Sequence, residues 1–103
     1  DGGFTGRVDY ATESNPLAVA SGGVAGDDRL DLVVGDYSAN TVSVLAGNGD
    51  GTFAARVAYA VGSYPYDVAL GDVDGDGQRD VVAANHSSHT VSVLRGQADG
   101  TLS

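Results

Sequence analysis

Four aspartates recur at positions one, three, five and nine of a nine-residue stretch, Asp72 to Asp80. Asp residues that alternate around a tight Gly turn can direct their carboxylates inward, and Ca²⁺ takes roughly 6–8 oxygen ligands. The carbonyl of Gln78, at position seven, is the expected backbone ligand. Oxygen donors without Cys or His favour calcium over zinc or copper. We therefore predict a Ca²⁺ site formed by Asp72, Asp74, Asp76, Gln78 and Asp80, the alternative being a solvated Asp/Gly-rich turn.

Other residues offer little for catalysis. The chain has no Cys and no Gly-x-Ser-x-Gly elbow, and its two histidines, His86 and His89, lie three residues apart. Such a pair can bind a transition metal, but a polar hairpin turn is the favoured interpretation. We therefore predict that the protein is not an enzyme. Exposed aromatic side chains could instead bind a sugar or a protein, and the candidates are Tyr37, Tyr64, Tyr66, His86 and His89.

Charge and composition narrow the choice of partner. Asp and Glu number 14 against 5 Arg and no Lys, which gives a net charge of −9. Nucleic acids and anionic membrane surfaces both attract cationic proteins, so we expect neither as a partner. Thirteen of the acidic residues are Asp, and with 16 Gly they favour turns rather than helices.

The chain repeats itself with a period of 49 residues. Residues 1–49 align without gaps on residues 50–98 with 24 identities, and 99–103 begin a third, truncated copy. A period of roughly 40–50 residues is typical of a four-stranded propeller blade. Apolar and β-branched runs bounded by turn residues predict the four strands of the second repeat at 57–61, 66–70, 81–84 and 90–94. The sequence thus predicts an all-β protein with two four-stranded propeller blades.

The first repeat preserves only part of the metal loop. Gly23 and Ala25 occupy the positions of Asp72 and Asp74, which leaves Asp27 and Asp31 as the aligned carboxylates. Two carboxylates fall short of the ligand count that Ca²⁺ requires. We predict a weak or lost second site at Asp27 and Asp31, so that each chain holds one good site.

Two blades leave apolar sheet faces and a strand edge uncovered, and closed propellers have roughly 4–8 blades. The chain opens with a predicted strand, Phe4 to Thr12, whose third copy is truncated. We hypothesise that this strand completes the last blade of the next chain, in a head-to-tail ring of three or four copies. The alternative is that the chain is a fragment of a longer propeller.

The sequence resembles the FG-GAP and VCBS repeat family, the calcium-loop propellers that include the integrin alpha-chain head. The resemblance is carried by the Asp72–Asp80 loop, by residues 65–69, 80–83 and 90–94, and by Asp-Gly-Thr-Phe at 50–53. It implies that the metal loop joins the two innermost strands of a blade, with the four loop aspartates as ligands. It also implies an extracellular or cell-surface module for adhesion or carbohydrate-related binding, and a few such modules lie within polysaccharide-degrading enzymes.

Overall fold

The computed structural model describes residues 7–23, 30–97 and 101–103, and these residues form seven antiparallel β-strands. None of the described residues is helical, so this part of the chain contains no helix that could cross a membrane. The predicted all-β class is therefore confirmed. The strands are β1 (Pro16–Gly22), β2 (Asp31–Asp36), β3 (Thr41–Leu45), β4 (Val57–Ala60), β5 (Pro65–Gly71), β6 (Asp80–Asn85) and β7 (Thr90–Leu94).

The strands form two sheets that do not follow the boundaries of the sequence repeats. Sheet 1 has the order β1-β2-β3-β4, and sheet 2 has the order β5-β6-β7. The first strand of the second repeat, β4, pairs with β3 of the first repeat. An isolated bridge between Gly47 and Phe53 folds the connection back, so that β4 runs beside β3. The prediction of four strands in each sheet is thus wrong for sheet 2, which has three strands among the described residues.

The predicted opening strand also differs from the structure. Residues 4–6 lie outside the described residues, and residues 7–12 belong to neither sheet. A strand needs a neighbouring strand to satisfy its ladder of hydrogen bonds, and no described strand pairs with this segment. The ring of Tyr10 instead meets the ring of Phe53 edge to face, with centroids 5.5 Å apart.

The core lies between the two sheets and consists of aliphatic side chains from both. Identical residues at equivalent repeat positions nevertheless differ in burial. Val42 is 0% exposed and its equivalent Val91 is 62% exposed, whereas Val68 is 8% exposed and its equivalent Val19 is 66% exposed. The outer faces therefore carry the same residue types that fill the core. The core residues are Val33, Val42, Val68, Val81, Ala83, Leu94 and Leu102.

Candidate metal centre

The acidic loop connects two paired strands of sheet 2. It begins after Gly71, the last residue of β5, and ends at Asp80, the first residue of β6. Gly71 and Asp80 are directly paired in the ladder, so the sheet fixes both ends of the loop side by side. Gly75 and Gly77 adopt φ angles of 78° and 87°, a left-handed conformation in which other residues are strained. This location confirms that the loop lies between adjacent strands of one sheet.

Three of the predicted ligands converge in the loop. Asp72, Asp74 and Asp80 each offer one carboxylate oxygen, and these oxygens lie within 4.8 Å of one another. Oxygens bound to a single calcium ion at about 2.3–2.6 Å are at most about 5 Å apart. The spacing of the three oxygens therefore fits a shared cation.

Main-chain N–H groups orient Asp72. Its Oδ1 accepts hydrogen bonds from the N–H groups of Gly75 at 2.8 Å and Asp76 at 3.1 Å. Its Oδ2 accepts one from the N–H of Gly77 at 2.8 Å. The bond from Gly77 is the largest cause that lowers the pKa of Asp72 below its ordinary value. These hydrogen bonds favour the ionised form of Asp72, which is the form that binds a cation.

Asp74 is in the opposite situation. Desolvation raises the pKa of this carboxyl group, and repulsion from the neighbouring carboxylates Asp76 and Asp80 contributes in the same direction. The guanidinium Nε of Arg95, whose side chain is exposed, lies 3.7 Å from Asp74 Oδ2. Close like charges disfavour ionisation unless a cation lies among them. The loop thus has a negative charge that a bound cation would relieve.

Asp76 and Gln78 lie in the same loop but outside the group of three. The Oδ1 of Asp76 accepts a hydrogen bond from the N–H of Gln78 at 2.9 Å. The N–H of Asp76 itself donates toward Asp72 and Asp74. Their assignment as ligands, like that of the other three, stays a prediction.

Asp80 has a second, structural role that sequence reasoning missed. Its carboxylate is fully buried, and it accepts hydrogen bonds from Gly96 N at 2.8 Å and Val73 N at 3.0 Å. In the first repeat, the buried Asp31 likewise accepts a bond from Gly47 N at 2.7 Å. A side chain at position 47 would clash with the carbonyl oxygen of Leu30, so the close approach of the two backbones requires glycine there. Asp31 is therefore explained by the fold, whereas Asp27 lies outside the described residues.

A further polar pair was also missed. Asp36 and its repeat equivalent Asn85 are buried near the ends of β2 and β6. The Oδ2 of Asp36 accepts hydrogen bonds from Thr41 Oγ1 at 3.0 Å and Ser43 Oγ at 2.6 Å. In the second repeat the direction is reversed, since Asn85 Nδ2 donates to both equivalent hydroxyls. The sequence signal for this pair was the Thr-x-Ser pattern that both repeats share, at 41–43 and 90–92. A hydroxyl can donate to a carboxylate or accept from an amide, so the same pattern can pair with Asp36 or with Asn85.

The aromatic candidates gather at the other end of the sheets. The ring of Tyr37 stacks on Tyr64 with centroids 4.8 Å apart and meets Tyr66 at 6.3 Å. Tyr66 is exposed and also contacts His86, with ring centroids 5.6 Å apart. His89 lies in the same β6–β7 turn as His86, as predicted for a polar hairpin. A cavity of about 460 Å³ adjoins this cluster and is lined by Asn15, Pro16, Leu17, Tyr37 and Tyr66.

These features define a class of protein made of tandem antiparallel sheets, with an acidic loop between adjacent strands that could hold a metal ion. The model of the FG-GAP-like repeat matches residues 24–83, more than half of the chain. The chain belongs to this family, and the predicted resemblance is confirmed. The match extends from the first-repeat loop through the acidic loop and into β6. No curated protein and no solved structure matches the chain.

Proposed function

We propose that the chain is a non-catalytic, calcium-stabilised scaffold of β-propeller blades. The observation that carries this proposal is the convergence of Asp72, Asp74 and Asp80 within 4.8 Å, in a repeat of the FG-GAP type. An extracellular or cell-surface location suits it, because calcium sites of extracellular modules bind at roughly 10⁻⁴–10⁻³ M. The scaffold assembles with copies of itself into a ring of three or four chains.

Calcium suits this loop better than other cations do. The converging donors are all carboxylate oxygens, which favour hard cations over zinc or copper. Mg²⁺ demands near-ideal octahedral geometry at about 2.0–2.1 Å, whereas Ca²⁺ accepts variable geometry. An exposed loop with two glycines in left-handed conformations can adjust its ligands to Ca²⁺. Calcium is therefore the ion that we propose for the loop.

The role of the ion follows from what its ligands contact. Asp80 is tied to Gly96, just beyond β7, and to Val73 inside the loop. Asp72 and Asp74 lie in the exposed part of the loop. A cation shared by the three carboxylates would cross-link the exposed loop to the buried strand start. We propose that calcium stabilises sheet 2 in this way rather than taking part in a reaction.

Thermal unfolding with and without calcium tests this proposal. We expect saturating calcium to raise the melting temperature of the native chain and EDTA to reverse the increase. Asp72→Asn and Asp74→Asn should each abolish the calcium-dependent increase. Asp67→Asn is the matched control, because Asp67 is an exposed carboxylate on β5 outside the group of three. An unchanged calcium response in both loop variants would overturn the assignment.

A second candidate function is carbohydrate binding, and the aromatic cluster favours it. Tyr66 is an exposed aromatic side chain that lines the 460 Å³ cavity, and Asn15 adds an amide to the same lining. Sugar rings stack on aromatic faces while their hydroxyls bond to amides, as in other sites that combine apolar and polar groups. Glycan-array binding that Tyr66→Ala removes would support a lectin-like role. If the array shows no binding while the chain still assembles, the lectin-like role is wrong and only the scaffold function remains.

A further inference from the structure

One edge of sheet 2 lies open within the described part of the chain. Strand β7 pairs with β6 on one side, and no described strand pairs with it on the other. Its repeat equivalent, β3, has β4 at that position. Val91 and Val93 of β7 are 62% and 48% exposed. An open apolar edge of this kind is a template for a further strand.

Residues 8–11 are the sequence equivalents of β4 and are not used by either sheet. They read Val-Asp-Tyr-Ala, against Val-Ala-Tyr-Ala in β4, and Val8 is 71% exposed. The segment therefore has the side chains of an outer strand but lacks a ladder partner among the described residues.

The contacts of two equivalent tyrosines show where this segment belongs. Tyr59 of β4 reaches the segment that is bridged to Gly96 just beyond β7, where its Oη accepts a hydrogen bond from Leu102 N at 3.4 Å. Tyr10 makes the same contact one repeat earlier, since its Oη accepts a bond from Phe53 N at 3.2 Å. Tyr10 thus contacts the segment bridged to the end of sheet 1 as Tyr59 contacts the segment bridged to the end of sheet 2. This is the place of the outer strand of a preceding blade.

The exposed faces complete the correspondence. Val42 of sheet 1 and Val68 of sheet 2 are buried in the contact between the sheets. Their equivalents, Val91 and Val19, are exposed on the two outer faces of the chain. If the outer face of sheet 2 met the outer face of sheet 1 of another copy, both valines would become buried as in the existing contact. Such a head-to-tail contact is heterologous and can close into a ring.

We propose that residues Val8–Ala11 of one copy add to β7 of a second copy as the fourth strand of its sheet 2. The internal pairing of β3 with β4 sets the register, in which Tyr10, Asp9 and Val8 lie opposite Val91, Ser92 and Val93. The proposal rests on the self-assembly part of the proposed function and not on calcium binding. The partner is a second copy of this chain, because one chain already contains both kinds of contact. The pairing of β3 with β4 is the model for the added strand, and the packing of sheet 1 on sheet 2 is the model for the contact between the outer faces.

Cysteine cross-linking tests the register. The chain has no native Cys, and both Val8 and Val93 are exposed, so a Val8→Cys/Val93→Cys variant should fold normally. We expect this variant to form disulfide-linked multimers under mild oxidation. The control pair Asp9→Cys/Val93→Cys is offset by one residue, which places the two side chains on opposite faces. Equal cross-linking of the control, or a disulfide dimer of Val93→Cys alone, would overturn the proposal.

Complementation between two blocked variants tests the direction of assembly. Val8→Pro/Asp9→Pro blocks the added strand, because N–H groups alternate along a strand and one of the two prolines removes a ladder donor. Val91→Lys blocks the β7 face, since Val91 is exposed in the single chain. We expect native mass spectrometry to show the native chain at three or four times the single-chain mass. Each variant should be monomeric alone, and an equimolar mixture should give a 1:1 dimer.

The results separate this proposal from that of calcium binding. A monomeric native chain, or blocked variants that assemble like the native chain, would overturn the strand-addition proposal. Both blocked variants leave residues 72–80 unchanged, so calcium binding per chain is measured on them directly. Their retention of a calcium-dependent rise in melting temperature would show that the loop functions whether or not the ring forms.

Discussion

The equivalent loops of the two repeats differ in acidity but share their last aspartate. The loop between β5 and β6 has four aspartates, whereas its first-repeat equivalent keeps Asp27 and Asp31 at aligned positions. Asp31 and Asp80 are both buried, and each accepts the N–H of an equivalent glycine, Gly47 or Gly96. The comparison teaches that the last aspartate serves the fold in both repeats. Asp72 and Asp74 have no acidic equivalent in the first repeat, as expected if their role is to bind a cation and not to maintain the fold.

The largest effect is expected from removing the shared aspartate. Asp80→Ala leaves the N–H groups of Gly96 and Val73 without their acceptor. The bond from Gly96 is buried, and a buried N–H without a partner costs about 1–3 kcal/mol. Asp31→Ala leaves Gly47 N in the same situation. Denaturant unfolding in EDTA should therefore show both variants destabilised. In calcium, Asp80→Ala alone should also lose the calcium-dependent stabilisation, and an equal calcium response of the two variants would contradict the comparison.

The next largest effect concerns calcium alone. A ligand at 100 times its dissociation constant stabilises the folded state by about 2.7 kcal/mol. We expect Asp74→Ala to lose this stabilisation, because Asp74 lies in the converging group. Asp76→Ala sharpens the comparison, since Asp76 is predicted as a ligand but lies outside that group. Calcium titrations of the two variants decide its role, and a calcium response lost with Asp76 but kept without Asp74 would contradict the geometry.

Much of this architecture was predictable from the sequence. The 49-residue period and the apolar runs predicted the positions of the strands. The aspartates that alternate around Gly75 and Gly77 predicted an acidic loop between two of them. The displacement of β4 into sheet 1 was not predictable, because a repeat in sequence has no defined starting strand. The structural role of Asp80 was missed as well, since its partner Gly96 is 16 residues away and is brought near only by the pairing of β6 with β7.

A smaller effect is expected from restoring the acidic pattern in the first repeat. The triple variant Gly23→Asp/Ala25→Asp/Asp28→Gly gives that loop the four aspartates and the glycine of the second. We expect isothermal titration calorimetry to show a second, weaker calcium site. The matched control is Gly23→Asn/Ala25→Asn/Asp28→Gly, which changes the same positions without adding carboxylates. A second site in the control, or none in the acidic variant, would show that the pattern does not determine binding.

The smallest effect is expected at the buried polar pair. Asp36→Asn places in the first repeat the residue that the second repeat has at Asn85. The hydroxyls of Thr41 and Ser43 can rotate from donating to accepting, so the stability should change by less than about 1 kcal/mol. Asp36→Ala removes the partner of both hydroxyls and should be more destabilising. Denaturant unfolding of the two variants checks this order, and an alanine variant as stable as the asparagine variant would contradict it.

The most direct test of the central claim is a count of bound calcium by native mass spectrometry. For the native chain in about 1 mM calcium we expect one bound ion per chain, which a chelator removes. The Asp74→Asn variant should bind none under the same conditions. A native chain that carries no calcium, or an Asp74→Asn variant that keeps its ion, would contradict the assignment of the loop between β5 and β6 as a calcium site.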